Sequence, residues 1–256
     1  MKKSIIILSL ILLASVYVNA QDAKGLMKKS SDAVSADAME MTSTLKIYDN
    51  KGNVRVRQVS NITKKFGNVR KTMMKFLSPA DVRGTAMLIF DYEDKDDDMW
   101  VYLPSMKKTR RIVSSQKASS FMGSEFSNSD MSSPNMDDFT YKLLGTETVD
   151  GKVCHKIEST CKTTEIASVE KFVKKITYID KNNFLPYKTD FYDKDNKLIK
   201  TSSMSDYRKQ TDGKHMAFNM TAVNHKNGRK SEIIIDEYKR GTDAAENYFS
   251  TSNLEK

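Results

Sequence analysis

Residues 77–90 read LSPADVRGTAMLIF, residues 99–113 read MWVYLPSMKKTRRIV, and residues 114–131 read SSQKASSFMGSEFSNSDM. The first two blocks are rich in apolar, β-branched and aromatic residues and are broken by Pro and Gly, the pattern of short strands joined by turns. The third has no period and closes around Phe121-Met122-Gly123. No catalytic motif accompanies them. Much apolar surface with little chemistry points to a protein that binds something greasy.

Outward from this stretch the period of two persists. Met41–Tyr48 and Val54–Ile62 flank the turn formers Asp49-Asn50-Lys51-Gly52-Asn53, which predicts a hairpin. After residue 138, strand-like runs recur between Asp150-Gly151, Asp212-Gly213 and Asn227-Gly228, where Gly and Asn tolerate positive φ. The expected fold is mainly β: an antiparallel meander of about eleven strands. Helix is expected only over 22–37 and near the irregular 114–138 segment. An antiparallel sheet this long curls under its own twist. Its dry face, meagrely covered, then leaves an apolar hollow or closes on itself.

Lys2 and Lys3, the apolar run Ile5–Val18 and the small residues before Gln21 form a secretory leader, cut after Ala20. The run is shorter than the roughly 20 residues of a membrane span. Residues 21–256 are expected to form one domain in the periplasm. Loss of Lys2 and Lys3 takes the formal charge from +9 to +7. That surplus suits an anionic surface or simply a solvated lysine-rich one. Nothing in it points to nucleic acid. Cys154 and Cys161 are seven residues apart on one strand-like run, so they should face opposite ways and stay free unless the chain turns between them.

Residue patterns that carry chemistry are few. His155, His215 and His225 lack zinc-site spacing and read as ordinary sheet-face residues. The acidic run from Asp91 to Asp98 lacks the glycine and distal glutamate of a calcium loop and reads as a solvated hairpin tip. Neither a metal nor another cofactor is expected. In the basic cluster Lys107, Lys108, Arg110 and Arg111, alternation turns one pair toward the inner face or rim. A buried arginine there needs a partner, either as a structural tie or as an anion contact. Methionines, which adapt to irregular apolar partners, crowd the same region beside Phe76, Phe90, Trp100 and Tyr102.

The ordered blocks Phe76-Leu77-Ser78-Pro79-Ala80-Asp81-Val82-Arg83-Gly84-Thr85, Trp100-Val101-Tyr102-Leu103-Pro104, Arg110-Arg111-Ile112 and Phe121-Met122-Gly123-Ser124-Glu125-Phe126 with Asp130 resemble the outer-membrane lipoprotein-sorting-like family. Its members are similar to the periplasmic carrier LolA and its receptor LolB. Glu125 departs from the usual Asp of that pattern. The resemblance implies a curved half-barrel with helices on its concave side and an acyl-chain cavity between. It also implies a non-enzymatic role in moving lipid or lipoprotein toward the outer membrane, with transient membrane contact. Members of this branch look like partners of inner-membrane RND-type exporters, which makes a non-catalytic adaptor subunit the alternative.

On these grounds Met74, Phe76, Leu88, Phe90, Trp100 and Tyr102 are expected to line the cavity, with the last four fixing the choice of strand face. Phe121, Met122 and Phe126 are expected at the mouth, on a lid formed by 114–138. Arg83, Arg110 and Arg111 are expected as structural ties or anion contacts.

Overall fold

The computed structural model describes residues 23–256, so the leader expected over 1–20 lies outside the described residues. Thirteen strands form one antiparallel sheet. They are β1 (Ala38–Tyr48), β2 (Val54–Phe66), β3 (Val69–Ser78), β4 (Ala86–Tyr92), β5 (Asp98–Leu103), β6 (Lys108–Ile112), β7 (Phe139–Val149), β8 (Lys152–Cys161), β9 (Lys174–Asp180), β10 (Pro186–Tyr192), β11 (Leu198–Lys209), β12 (His215–Asn224) and β13 (Lys230–Arg240). The count exceeds the expected eleven because every turn-bounded extended run pairs in the sheet and none is left as loop. The predicted hairpin joins β1 to β2, and Asp49 Oδ1 accepts the backbone N–H groups of Lys51 and Asn53.

The strand order β6-β5-β4-β3-β2-β1-β13-β12-β11-β10-β9-β8-β7 explains how the rest is used. The chain starts in the middle of the sheet and meanders out to the edge at β6. It then crosses to the opposite edge at β7 and meanders back until β13 pairs with β1. Laid flat, twelve strand spacings of about 4.8 Å would separate those edges by about 58 Å. The crossing segment 113–138 is not extended: it contains three 3-10 turns, at Ser114–Gln116, Ser129–Met131 and Met136–Asp138. The sheet curves so that these turns reach across. Helix α2 (Thr164–Glu170), which follows β8, consequently packs beside the Ser114–Gln116 turn that follows β6.

Helix α1 spans residues 23–34 of the described chain. It buries Ala23 and Leu26 against Ile157 and Ile179 on the inner face, the face crossed by the strap 113–138. The second helix is α2 rather than one within 114–138. Thr163 caps it, its hydroxyl accepting the N–H of Ile166, while Ser and Gly keep the strap irregular. The core lies on both faces. The inner-face cluster joins Leu45, Ile47, Val59, Met74, Phe76, Met87, Ile89, Met99 and Val101 to Phe121 and Phe126 of the strap. The outer face of β3–β5 is covered by the C-terminal segment 241–256. Phe249 and Leu254 pack there on Met73, Ala86 and Leu88.

The two cysteines are free and divide between the faces of β8. Cys154 packs with Ile176 and Tyr178, and Cys161 packs beside Phe139 and Phe172. Burial pushes the Cys161 thiol up to about 11.

Candidate functional site

The strap is folded at its centre and tied down on both sides. Phe121 N–H donates to the carbonyl of Phe126 (2.7 Å), and Ser124 Oγ donates to the carbonyl of Phe121 (2.7 Å). The turn needs two consecutive left-handed residues, Met122 (φ 51°) and Gly123 (φ 80°), and a glycine supplies the second without strain. Arg57 donates to the Met122 carbonyl, and Arg229 Nη2 to that of Gly123 (2.8 Å). Glu125 is held three ways: by Arg229 Nε at 3.0 Å, by Asn224 Nδ2 at 2.8 Å, and by its own N–H to Ser231 Oγ at 3.0 Å. Lys200 pairs with Asp130 at 2.6 Å further along.

Two hollows flank this tie. The larger, of about 950 Å³, lies between the strap, α1, α2 and strands β9–β12. Its apolar floor is Phe126, Phe172, Phe191, Ile199 and Met204, and acidic and basic side chains alternate around it. The smaller, of about 270 Å³, is a slot between the strap and β4–β6. Met87, Val101, Leu103, Ile112 and Met122 line it, with Arg110 at the sheet edge.

Four of the charged groups around the larger cavity are poorly hydrated. Burial holds Asp97 above the usual carboxylate range, with Asp91 adding to the effect against a Ser132 hydrogen bond and Lys117. Burial, then Asp96, does the same to Asp138, and burial chiefly raises Glu170. Burial drives Lys175 in the opposite sense, below the usual lysine range. A desolvated wall disfavours whichever form carries charge. A guest that supplies matching polar atoms is therefore accommodated more readily than a wholly apolar one.

The expected site residues separate. Met74 and Phe76 lie on the inner face beneath the strap, but Leu88, Phe90, Trp100 and Tyr102 point to the outer face under the C-terminal segment. They therefore do not form one wall with Met74 and Phe76. Cross-strand pairing makes the reason plain: Met73, Leu88 and Trp100 stand in one outward row, while Met74, Met87 and Val101 form the inward one. Phe121 is not at a mouth; it is 2% exposed and packed on Phe76 with ring centroids 5.9 Å apart. Met122 faces the small slot and Phe126 the large cavity. Arg83 Nε ties the β3–β4 turn by donating to the Leu77 carbonyl (3.1 Å). Arg111 pairs with Asp98 on the outer side, and Arg110 lies at the slot.

The acidic loop is only partly a solvated tip. Glu93 is exposed, but Asp91 pairs with Arg70 at 3.3 Å, and both Asp91 and Asp97 belong to the cavity wall. No group of three or more potential metal ligands occurs among the described residues. Lining residues not anticipated from sequence include Phe172, Lys175, Phe191, Ile199, Lys200 and Met204. The one signal was Lys175, charged on the same alternating face as Thr177 and Ile179.

Solved structures share this fold. An outer membrane lipoprotein-sorting protein domain from Vibrio parahaemolyticus matches with a TM-score of 0.85 at 26% identity, over 93% of this chain and 100% of that one. A DUF1329 family protein from Desulfovibrio piger gives 0.84 at 28% identity, over 92% and 99%. A LolA superfamily protein from Nitrosomonas europaea has the same fold, with a TM-score of 0.71 at 21% identity over 90% and 98%. A family model described as "-like: Uncharacterized protein" matches residues 68–256. No curated protein matches the chain. The fold is that of a LolA-type half-barrel. The chain belongs to the outer-membrane lipoprotein-sorting-like family.

Proposed function

We propose that the protein is a periplasmic carrier that takes up an acyl-bearing lipid or lipoprotein on its inner face and passes it toward the outer membrane. The observation that carries this reading is the 950 Å³ cavity, with its aromatic and aliphatic floor and desolvated polar wall. Such a site suits an amphiphile. Each methylene transferred to the floor contributes about 0.8 kcal/mol, and a polar head meets side chains that water hydrates poorly. Release needs only a shift between two conformations of comparable energy. The strap supplies a device for that, since polar ties hold its turn while Phe121 stays rooted in the core. An adaptor role on an exporter finds no support in the structural neighbours.

Displacement of the neutral probe N-phenyl-1-naphthylamine by long-chain amphiphiles tests the proposal. Wild-type protein should bind the probe saturably. Ile199→Trp with Met204→Trp, which fills the floor, should reduce binding at least tenfold while the fold is kept. Equal binding by the filled variant would rule out this cavity.

A further inference from the structure

We infer that Lys175 is the headgroup anchor of the larger cavity, and that the ligand is an amphiphile whose head is an anion, a carboxylate or a phosphate. This rests on the carrier reading above and adds the chemical class of the guest.

Lys175 is the half-buried lysine of the cavity wall with neither an ion pair nor a hydrogen bond on its ammonium, a state it shares only with the exposed lining residues Lys95, Lys171 and Lys226. Lys200 is paired with Asp130 at 2.6 Å, Lys174 with Glu158 at 3.1 Å, Lys188 with Asp190 at 2.8 Å, and Lys117 with Asp96 at 4.0 Å. Among the described residues the Lys175 ammonium makes no ion pair and no hydrogen bond. Its ammonium sits 4.5 Å from the ring centroid of Phe139 and 5.5 Å from that of Phe172. Aromatic faces hold a cation in place without accepting its N–H bonds as a carboxylate would. The nearby acids do not fill the role. Asp130 already accepts from Lys200 and from the N–H of Ser127. Glu170 acts on Lys175 only from beyond ion-pair distance, and burial favours its neutral form.

A second donor stands beside it. Ser159 on β8 is the direct cross-strand partner of Lys175 on β9. Directly opposed residues carry their side chains on one face, about 5 Å apart at Cβ. Ser159 is 0% exposed, and its hydroxyl has no hydrogen-bond partner among the described residues. Phe191 is the partner of Lys175 on the other side, and Phe172, Phe191 and Ile199 continue as apolar floor. Lys175 lines the cavity at the head of this apolar floor, with the unpartnered Ser159 hydroxyl buried beside it, and an ammonium there without an acceptor calls for acceptor oxygens on the guest. The lining as a whole mixes both signs, so recognition rests on this ammonium rather than on a general positive field.

The test compares oleate, oleoyl lysophosphatidate and oleyl alcohol as competitors of N-phenyl-1-naphthylamine, on wild type, Lys175→Met and Lys175→Arg. Wild type should bind at least one of the two anions ten or more times tighter than the alcohol. Preference for oleate identifies a fatty-acid type of head, and preference for lysophosphatidate a phospholipid type. Lys175→Met should erase the preference while leaving the alcohol unchanged, and Lys175→Arg should restore most of it. As a measurement independent of the variants, the preferred anion, but not the alcohol, should protect Lys175 from amine acetylation as read by mass spectrometry. Equal anion binding by wild type and Lys175→Met, or no protection, would overturn the anchor and leave the carrier standing. Failure of wild type to bind any of the three would overturn both.

Discussion

Arg57 on β2 donates its guanidinium to the backbone carbonyl of Met122, at the tip of the strap. The same side chain lies over the Phe76 ring, 5.9 Å from its centroid. One residue thus couples the sheet, the inner core and the segment that separates the two hollows. Substitution Arg57→Met keeps the aliphatic stem and removes the tie. A hydrogen bond from a charged donor is worth about 1.5–3 kcal/mol, so urea unfolding should show a loss of that size. Stability unchanged within about 0.5 kcal/mol, the range of ordinary surface substitutions, would mean the strap does not depend on this bond.

Phe121 serves stability rather than access. Truncation of a buried phenylalanine costs about 3–5 kcal/mol, and Phe121→Ala should approach that in denaturant unfolding. Met122→Ala, at a half-buried position, should cost clearly less. Equal, small losses at both would return Phe121 to the rim of the site.

Trp100 is the single tryptophan and contacts Phe90 edge-on on the outer face, with ring centroids 5.2 Å apart. A brominated acyl chain bound in the inner-face cavity should leave its emission largely unquenched. Removal of residues 244–256, which carry Phe249 and Leu254, should red-shift the emission. Strong quenching by the brominated guest would move the ligand to the outer face.

Asp97 sets a pH dependence. Burial raises its folded pKa above the unfolded value, so the folded state binds the proton more tightly and stability increases as pH falls through the folded pKa toward the unfolded one. Above the folded pKa the penalty is fully present. Asp97→Asn should therefore raise Tm relative to wild type at pH 7, and this advantage should shrink by pH 4. A constant difference at both values would show that Asp97 does not titrate in this sense.

The turns, the period-two runs and the free cysteines were legible because each is fixed locally. Asp49, for example, closes its own hairpin by accepting two backbone N–H groups three and five residues into the loop sequence 49–53. The orientation of β3–β5 was not. Met73 and Met74, like Leu88 and Ile89, are all buried, because strap and C-terminal segment cover opposite faces of the same strands. A strand dry on both sides loses its alternation, so Leu88 and Trp100 could not be told from Met87 and Val101. The covering segment carries only Tyr248, Phe249 and Leu254 as large apolar anchors, too few to signal an element. Lys175 and Ser159 are sixteen residues apart in sequence, and only the β8–β9 register brings them together.

An amphiphile held on the inner face should stay with the protein through purification. Native mass spectrometry of the protein purified without detergent, followed by lipid extraction, addresses it most directly. An acyl-bearing species at close to one per chain, lost from the Ile199→Trp, Met204→Trp variant, is the result expected. A bare wild-type mass that also takes up no added acyl lipid would contradict it.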